Sequence, residues 1–129
     1  MITAEVGTAL PELVLPLTPT LIVSAAIATV DYQDVHHDRD AAKRRGAPDI
    51  FMNILTTTGL VQRYVTDWAG PDALVRGVSV RLGVPNFPGD TMTLTGTVAS
   101  RDGQVLTIDV RGANRLGDHV TGTVRIELP

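Results

Sequence analysis

The sequence predicts an α+β fold in which an antiparallel sheet of about five strands wraps around a long central helix. Its pattern is mostly helical from Thr20 to about Trp68 and strand-like from about Ala73 to Leu128. One long helix followed by a run of antiparallel strands is the layered order of an α+β domain. The 129 residues, 43 % of them hydrophobic, suffice for one core, so we expect a single domain over residues 1–129.

Three helix-like segments occupy the first half. Residues 24–29 (SAAIAT) form a short one. Residues 38–46 (DRDAAKRRG) form a second, with Asp38 as the N-cap and Gly46 as the left-handed residue after its end. Residues 47–70 form the long helix. Pro48 suits its first turn, and the apolar run that follows predicts that the first turns are buried on all sides. Polar residues in the second half predict that the far end reaches water.

The second half has the alternation of strands separated by Gly, Pro, Asn and Asp turns. The predicted strands cover residues 73–84, 90–101, 104–113 and 119–128, and residues 8–16 favour a fifth. A sheet of about five strands around one helix leaves an exposed edge, and dimers often pair such edges.

Composition excludes several classes of protein. The chain has no cysteine, which rules out disulfides and thiolate zinc sites. Its net charge is −3, without a basic stripe, so nucleic-acid binding is not expected. The apolar run 21–30 is shorter than the roughly 18 residues that span a bilayer. No positive segment precedes an apolar run at the N-terminus, so we expect no signal peptide and a cytoplasmic protein.

The segment DYQDVHHDRD, residues 31–40, holds two of the three histidines and four acids. A metal site is one interpretation, but adjacent histidines tend to point apart, Asp38 and Asp40 are explained by the helix start, and His119 is expected in a turn or at a strand edge. We therefore expect no metal. A solvated loop is a second interpretation, although it explains Asp31 poorly, because Asp31 directly follows a small apolar run.

The third interpretation is an acid/base pair of Asp31 and His36. A loop between two helices can bring both side chains to one water molecule, and adding water across a conjugated double bond needs such a pair. Neutral histidine is near its useful pKa at pH 7, and burial can raise the pKa of an aspartate. The residues alone leave these interpretations open.

The same segment resembles the Asp-x-Asn-Pro-Leu/Ile-His motif of the MaoC-like hot-dog hydratase family. Asp31 and His36 match the catalytic positions, whereas Gln33 and Asp34 replace the Asn and Pro. The resemblance continues through RLGVPNFPGDTMTLTGTV (residues 81–98) and GANRLGDHVTGTVRI (residues 112–126). APDIFMNILTTTG stands where the family has its central helix, with Asn53 in place of a Gly.

Within the family, the chain is similar to the small subunits of actinobacterial heteromeric steroid enoyl-CoA hydratases. This resemblance implies a hot-dog fold and a heterotetramer with a larger MaoC-like subunit, which would link the enzyme to a downstream aldolase. It also implies a hydro-lyase that adds water to a pregnadiene-carboxyl-CoA thioester in cholesterol side-chain degradation. Asp31 and His36 are implied as the catalytic pair, and we expect Asp31 to be the main general base or acid and His36 its partner. CoA belongs to the substrate, so no cofactor is expected.

Backbone N–H groups at the start of the long helix are expected to stabilise the enolate oxygen of the thioester. We assign this role to Met52, Asn53 and Ile54, and the Asn53 side chain is either a donor to substrate or a satisfied buried amide. Basic residues that could contact CoA are Lys43, Arg44, Arg45 and Arg81, although a solvated helix end explains the first three equally well.

Three other functions stay open. A homodimeric (R)-specific hydratase of simple acyl chains is disfavoured by Gln33 and Asp34. A non-catalytic subunit that stabilises a catalytic partner is disfavoured because such a subunit has no chemical need for the Asp31–His36 pair. A hot-dog thioesterase would need an acid beside the central helix, and Asp49 is the only acid near its expected start.

Overall fold

The computed structural model describes residues 4–129, so residues 1–3 of the N-terminal segment lie outside it. Its helices are α1 (Pro19–Ala28), α2 (Arg39–Arg44) and α3 (Ile54–Ala69), with a 3₁₀ turn at Asp34–His36. Its strands are β1 (Ala9–Pro16), β2 (Leu74–Leu82), β3 (Thr91–Asp102), β4 (Val105–Asn114) and β5 (Gly117–Glu127). All five predicted strands are present.

The strands form one antiparallel sheet in the order β1-β3-β4-β5-β2. β1 and β2 are therefore its edges. Alternate residues of β3, β4 and β5 are buried and form a continuous apolar face, as Leu94, Ile108 and Val124 illustrate. Helix α3 packs on this face through one side, with Val61 and Val65 fully buried. This is the hot-dog arrangement, and the predicted α+β class is confirmed.

The start of α3 differs from the prediction. The helix begins at Ile54, not near Pro48, and residues 50–52 precede it as irregular chain. Their backbone is bonded to neighbouring loops, since the Phe51 N–H donates to the Val35 carbonyl and the Met52 N–H to the Asn86 carbonyl. A short apolar run fits a buried loop segment as well as a helix, and here tertiary hydrogen bonds decide.

The expectation that the first turns of this helix are buried on all sides is also wrong. Ile54 and Leu55, in the first turn, are 50 % and 52 % exposed. Only one face of α3 meets the sheet, because the sheet curves around the helix from one side.

Helix α1 is longer than predicted, because Thr18 caps it and Pro19 occupies its first position. It ends in a Schellman motif, in which the Val30 N–H donates to the Ile27 carbonyl and the Asp31 N–H to the Ala26 carbonyl. Val30 has the left-handed φ of 59° that this motif requires, at a position where glycine is usual. The backbone of Asp31 is thus fixed by the end of α1.

Helix α2 follows the prediction closely. The Asp38 carboxylate accepts the Ala41 N–H at 3.1 Å as the N-cap, and Gly46 follows the helix with a φ of 93°. The short helix, together with the 3₁₀ turn, closes the loop that carries Asp31 and His36.

No helix within residues 4–129 combines the length and apolar character needed to cross a bilayer.

Candidate active site

A cavity of about 300 Å³ lies where α1 ends and α3 begins. One wall is formed by Asp31, Gln33 and His36, and the base by residues 51–54. The opposite wall is formed by residues 82–85 and His119. The loop and the start of α3, far apart in the predicted order of elements, thus meet at one site.

Asp31 and His36 face each other in this cavity. Oδ2 of Asp31 lies 3.4 Å from Nε2 of His36, and the His36 side chain is 7 % exposed. Nδ1 of His36 lies 2.7 Å from the carbonyl oxygen of Phe51, which can only accept, so Nδ1 carries a proton. In neutral His36, Nε2 therefore presents a lone pair to the cavity.

The Asp31 carboxylate accepts hydrogen bonds from two groups. The Asn53 side-chain amide donates to Oδ2 at 3.1 Å, and the Gln33 N–H donates to Oδ1 at 3.3 Å. The hydrogen bond from Asn53 is the largest influence that holds the pKa of Asp31 below its usual range. Partial desolvation opposes it, and the Gln33 N–H and nearby His36 assist. Asp31 is therefore an anionic acceptor at neutral pH.

When His36 is neutral, Nε2 of His36 and Oδ2 of ionised Asp31 offer two acceptors to the same space. Two acceptors 3.4 Å apart do not hydrogen bond each other directly, but one water molecule can donate a proton to each. The pair can therefore hold a water with its oxygen lone pairs directed away from the two side chains.

The first turn of α3 opens into the same cavity through Asn53 and Ile54. The N–H of Ile54, at the first helical position, has no acceptor within the helix. Met52 does not fit the donor set expected from the sequence, because its N–H donates to the Asn86 carbonyl at 3.1 Å. That correction follows from the later start of the helix.

The basic residues predicted to contact CoA lie outside the cavity lining. Arg45 forms a salt bridge with Asp34 at 3.0 Å. Lys43 and Arg44 are exposed at the end of α2 and form no salt bridge within residues 4–129. Arg81 is exposed on β2, on the face opposite the core-packed Val80.

His119, expected in a turn or at a strand edge, is a buried cavity residue that the sequence did not reveal. Gly112 pairs with Val120 and Ala113 with Asp118, so His119 is the extra residue of a β-bulge. The bulge lets His119 and Val120 both be buried, at 2 % and 1 % exposure. Regular alternation predicts opposite faces for two such neighbours, so no sequence signal marks this position.

Two other predicted roles can be compared with the geometry. Asp49 is held by Arg39 at 2.7 Å, which keeps the pKa of that carboxyl low, and it does not line the cavity, so nothing supports a thioesterase acid there. His37 is exposed and points to the Tyr32 carbonyl, away from His36. In the part of the chain that the structure describes, no three His, Asp or Glu side chains cluster as metal ligands would.

Similarity to known proteins shows the family of this chain. Residues 3–118 match the MaoC like domain. The chain belongs to the MaoC-like family. This membership makes it a hydro-lyase, the class of the family's dehydratases.

Among similar proteins, the 3-oxo-4,17-pregnadiene-20-carboxyl-CoA hydratase beta subunit of Mycobacterium tuberculosis is 58 % identical over 123 residues, 95 % of either chain. A chain of the ChsH1-ChsH2 complex from the same organism superposes with a TM-score of 0.96 at 56 % identity. The match covers 98 % of this MaoC-like chain and all of that one. The (R)-hydratase from A. caviae shares the fold, with a TM-score of 0.88 at 21 % identity and 97 % of each chain covered.

Proposed function

We propose that this chain is the catalytic subunit of an enoyl-CoA hydratase that acts on a steroid-CoA thioester of the pregnadiene-carboxyl type. The observation that carries the proposal is the pair of acceptors, Oδ2 of Asp31 and Nε2 of His36, 3.4 Å apart in a cavity at the start of α3. The substrate class is supported by the 58 % identity to a subunit named for that substrate.

In the proposed reaction, Asp31 and His36 hold the water that attacks the β-carbon of the enoyl thioester. As the C–O bond forms, Nε2 of His36 takes one proton from the water, and the π electrons move to the thioester oxygen. We assign the base to His36 and not to Asp31, the main base or acid expected from the sequence, because the low pKa of Asp31 makes its carboxylate a weak base. Asp31 accepts a hydrogen bond from the proton that stays on the new hydroxyl, and its charge stabilises the imidazolium of His36. The enolate then collapses, and its α-carbon takes the proton from Nε2. Both added groups come from one water, so addition to one face is expected.

The developing enolate oxygen needs hydrogen-bond donors. The first turn of α3 supplies unpaired N–H groups at the positive end of the helix, and we assign the backbone N–H groups of Asn53 and Ile54 to this role. Such a donor typically lowers the activation free energy by about 3 kcal/mol. Hydration by this route needs no cofactor.

A larger MaoC-like partner in a heterotetramer is part of the proposal, supported by the similarity to a chain of a two-protein complex. Apolar side chains beside the cavity also favour a cover, because Ile54, Leu55 and Leu82 are 50 %, 52 % and 41 % exposed. The partner would complete the pocket for the steroid rings. A link through it to an aldolase stays a prediction from the resemblance.

The test is hydration of the steroid enoyl-CoA by this chain co-purified with its large partner. Loss of the conjugated-thioester absorbance is followed for wild type, Asp31→Asn and the control Asp34→Asn, which alters an acid of the same loop that pairs with Arg45. We expect Asp31→Asn to lose at least about 100-fold in kcat and Asp34→Asn to keep most activity, with both complexes assembled. Equal activity of Asp31→Asn and wild type would mean that this chain is a non-catalytic companion.

A further inference from the structure

The Asn53 side chain is buried, at 2 % exposure, and its orientation is determined by its neighbours. Its Oδ1 accepts the backbone N–H of Thr56 at 3.3 Å and also accepts the Thr56 hydroxyl. A backbone N–H can only donate, so the oxygen of the amide must face Thr56 and the NH₂ group must face the opposite way. There it donates to Thr29 and to Asp31.

Thr29 is oriented in turn. Its hydroxyl lies 2.9 Å from the Ala25 carbonyl and 3.0 Å from the Ala26 carbonyl, so its proton points into α1. Its lone pairs are then free to accept the Asn53 amide at 2.8 Å. Thr29 therefore donates to α1 and accepts from Asn53, and this direction cannot be reversed. The second proton of the Asn53 NH₂ group is left for Asp31.

We propose that Asn53 is a positioning residue for the hydration, whose amide keeps Oδ2 of Asp31 turned toward Nε2 of His36. The amide lies on the same carboxylate oxygen that faces Nε2 of His36. A rotation of the carboxylate that moved Oδ2 away from His36 would break this hydrogen bond. The inference rests on the proposed function, because it assigns a role within that reaction.

Capping of α3 alone does not require this residue. Ser, Thr and Asp cap helices as well as Asn, and each supplies only the acceptor for the Thr56 N–H. The two N–H bonds of the Asn53 side-chain amide take no part in the cap, and both are directed to the end of α1 and the loop that carries Asp31. They join the start of α3 to the end of α1 directly beside the cavity.

The experiment compares Asn53→Ser and Thr56→Val with wild type in the complex with the large partner. Ser keeps the cap acceptor and loses the amide donors, whereas Thr56→Val removes a hydroxyl from Oδ1 and leaves the donors in place. We expect Asn53→Ser to lose about 10- to 100-fold in kcat, with little change in KM, because a hydrogen bond to a charged group is lost. The pKa of the Asp31 carboxyl itself, followed by carbon NMR, should rise in this variant, since the donor favours ionised Asp31. Thr56→Val should show neither effect.

A second variant, Asn53→Asp, keeps the cap but places two carboxylates in contact. Its activity should survive only toward low pH, where one proton is shared between them. Wild-type kcat and an unchanged Asp31 pKa in Asn53→Ser would overturn the proposal, as would a loss of kcat accompanied only by lower thermal stability. If wild type itself does not hydrate the thioester, the proposed function fails, and this outcome is distinct from an active wild type with an indifferent Asn53→Ser.

Discussion

The Thr57 hydroxyl lies 2.8 Å from Nε2 of His119, and this contact joins the first turns of α3 to the bulge in β5. Nδ1 of His119 lies 2.7 Å from the Val84 carbonyl, so it carries the proton and Nε2 accepts from Thr57. One side chain thus fixes the distance between the helix, the bulged strand and the loop that forms the far wall of the cavity.

Thr57→Val should lower the stability of the protein by about 1–3 kcal/mol, because it leaves the buried Nε2 of His119 without a donor. Val has nearly the shape of Thr, so the loss reports the hydroxyl alone. Thr58→Val is the matched control, since the Thr58 hydroxyl donates to the Ile54 carbonyl on the exposed side of the helix. Unfolding in urea measures both, and equal effects would contradict a specific role for the Thr57–His119 contact.

Stability should fall as the pH drops below about 6.5, the ordinary histidine pKa. Burial holds the pKa of His119 below that value in the folded state, although its bond to the Val84 carbonyl opposes the shift. Between the two pKa values the unfolded chain binds a proton that the folded chain does not, so the free energy of unfolding decreases toward acid. Above pH 6.5 this residue adds no pH dependence.

The measurement for this second prediction is thermal unfolding at several pH values between 5 and 8 for wild type and His119→Gln. The variant cannot titrate at this position, so its melting temperature should vary less with pH. Because all other titrating groups are shared, parallel curves would rule out His119 as the source of the acid sensitivity.

Val30→Gly should stabilise the protein by about 1 kcal/mol. Val30 is a β-branched residue with a φ of 59° at the end of α1, where a side chain is strained and glycine is not. Val30→Ala removes most of the side chain but keeps Cβ, so it should bring much less gain. Urea unfolding of the two variants separates backbone strain from loss of the side chain, and a destabilised Val30→Gly would contradict the prediction.

Replacing Lys43 and Arg44 together by alanine should raise KM several-fold with kcat unchanged, if these exposed cations meet the phosphates of CoA. The effect should shrink at high salt, because exposed charges are screened. Arg63→Ala is the control, a cation on the exposed side of α3 paired with Asp67 at 3.3 Å. Equal KM values at low salt would assign Lys43 and Arg44 to a merely solvated helix end.

Much of this architecture could be predicted from the sequence because local chemistry decides it. The strands follow from alternation and turn residues, and the Asp38 cap from the charged segment around it. The positions of Asp31 and His36 in one loop also follow from local order, since the end of α1 and the short α2 bracket them.

The remainder depends on contacts between distant segments. The start of α3 was misplaced because residues 50–52 are apolar in either conformation, and hydrogen bonds to Val35 and Asn86 decide between them. His119 was missed because a bulge breaks the alternation on which the prediction relied. The hydrogen bonds of the Asn53 amide to Thr29 and Asp31 could not be predicted, because they form only where α1 and α3 meet.

The two members of the proposed catalytic pair differ in how mutations of neighbouring residues can affect them. His36 is held in one tautomer by the main-chain carbonyl of Phe51, an atom that every amino acid carries. Asp31 is held by the side chain of Asn53, which a single substitution can remove. Substitution of Phe51 therefore leaves the proton of His36 on Nδ1, because the main-chain carbonyl remains. Substitution of Asn53 changes the basicity of the Asp31 carboxylate, so evolution or engineering can tune it at this one position.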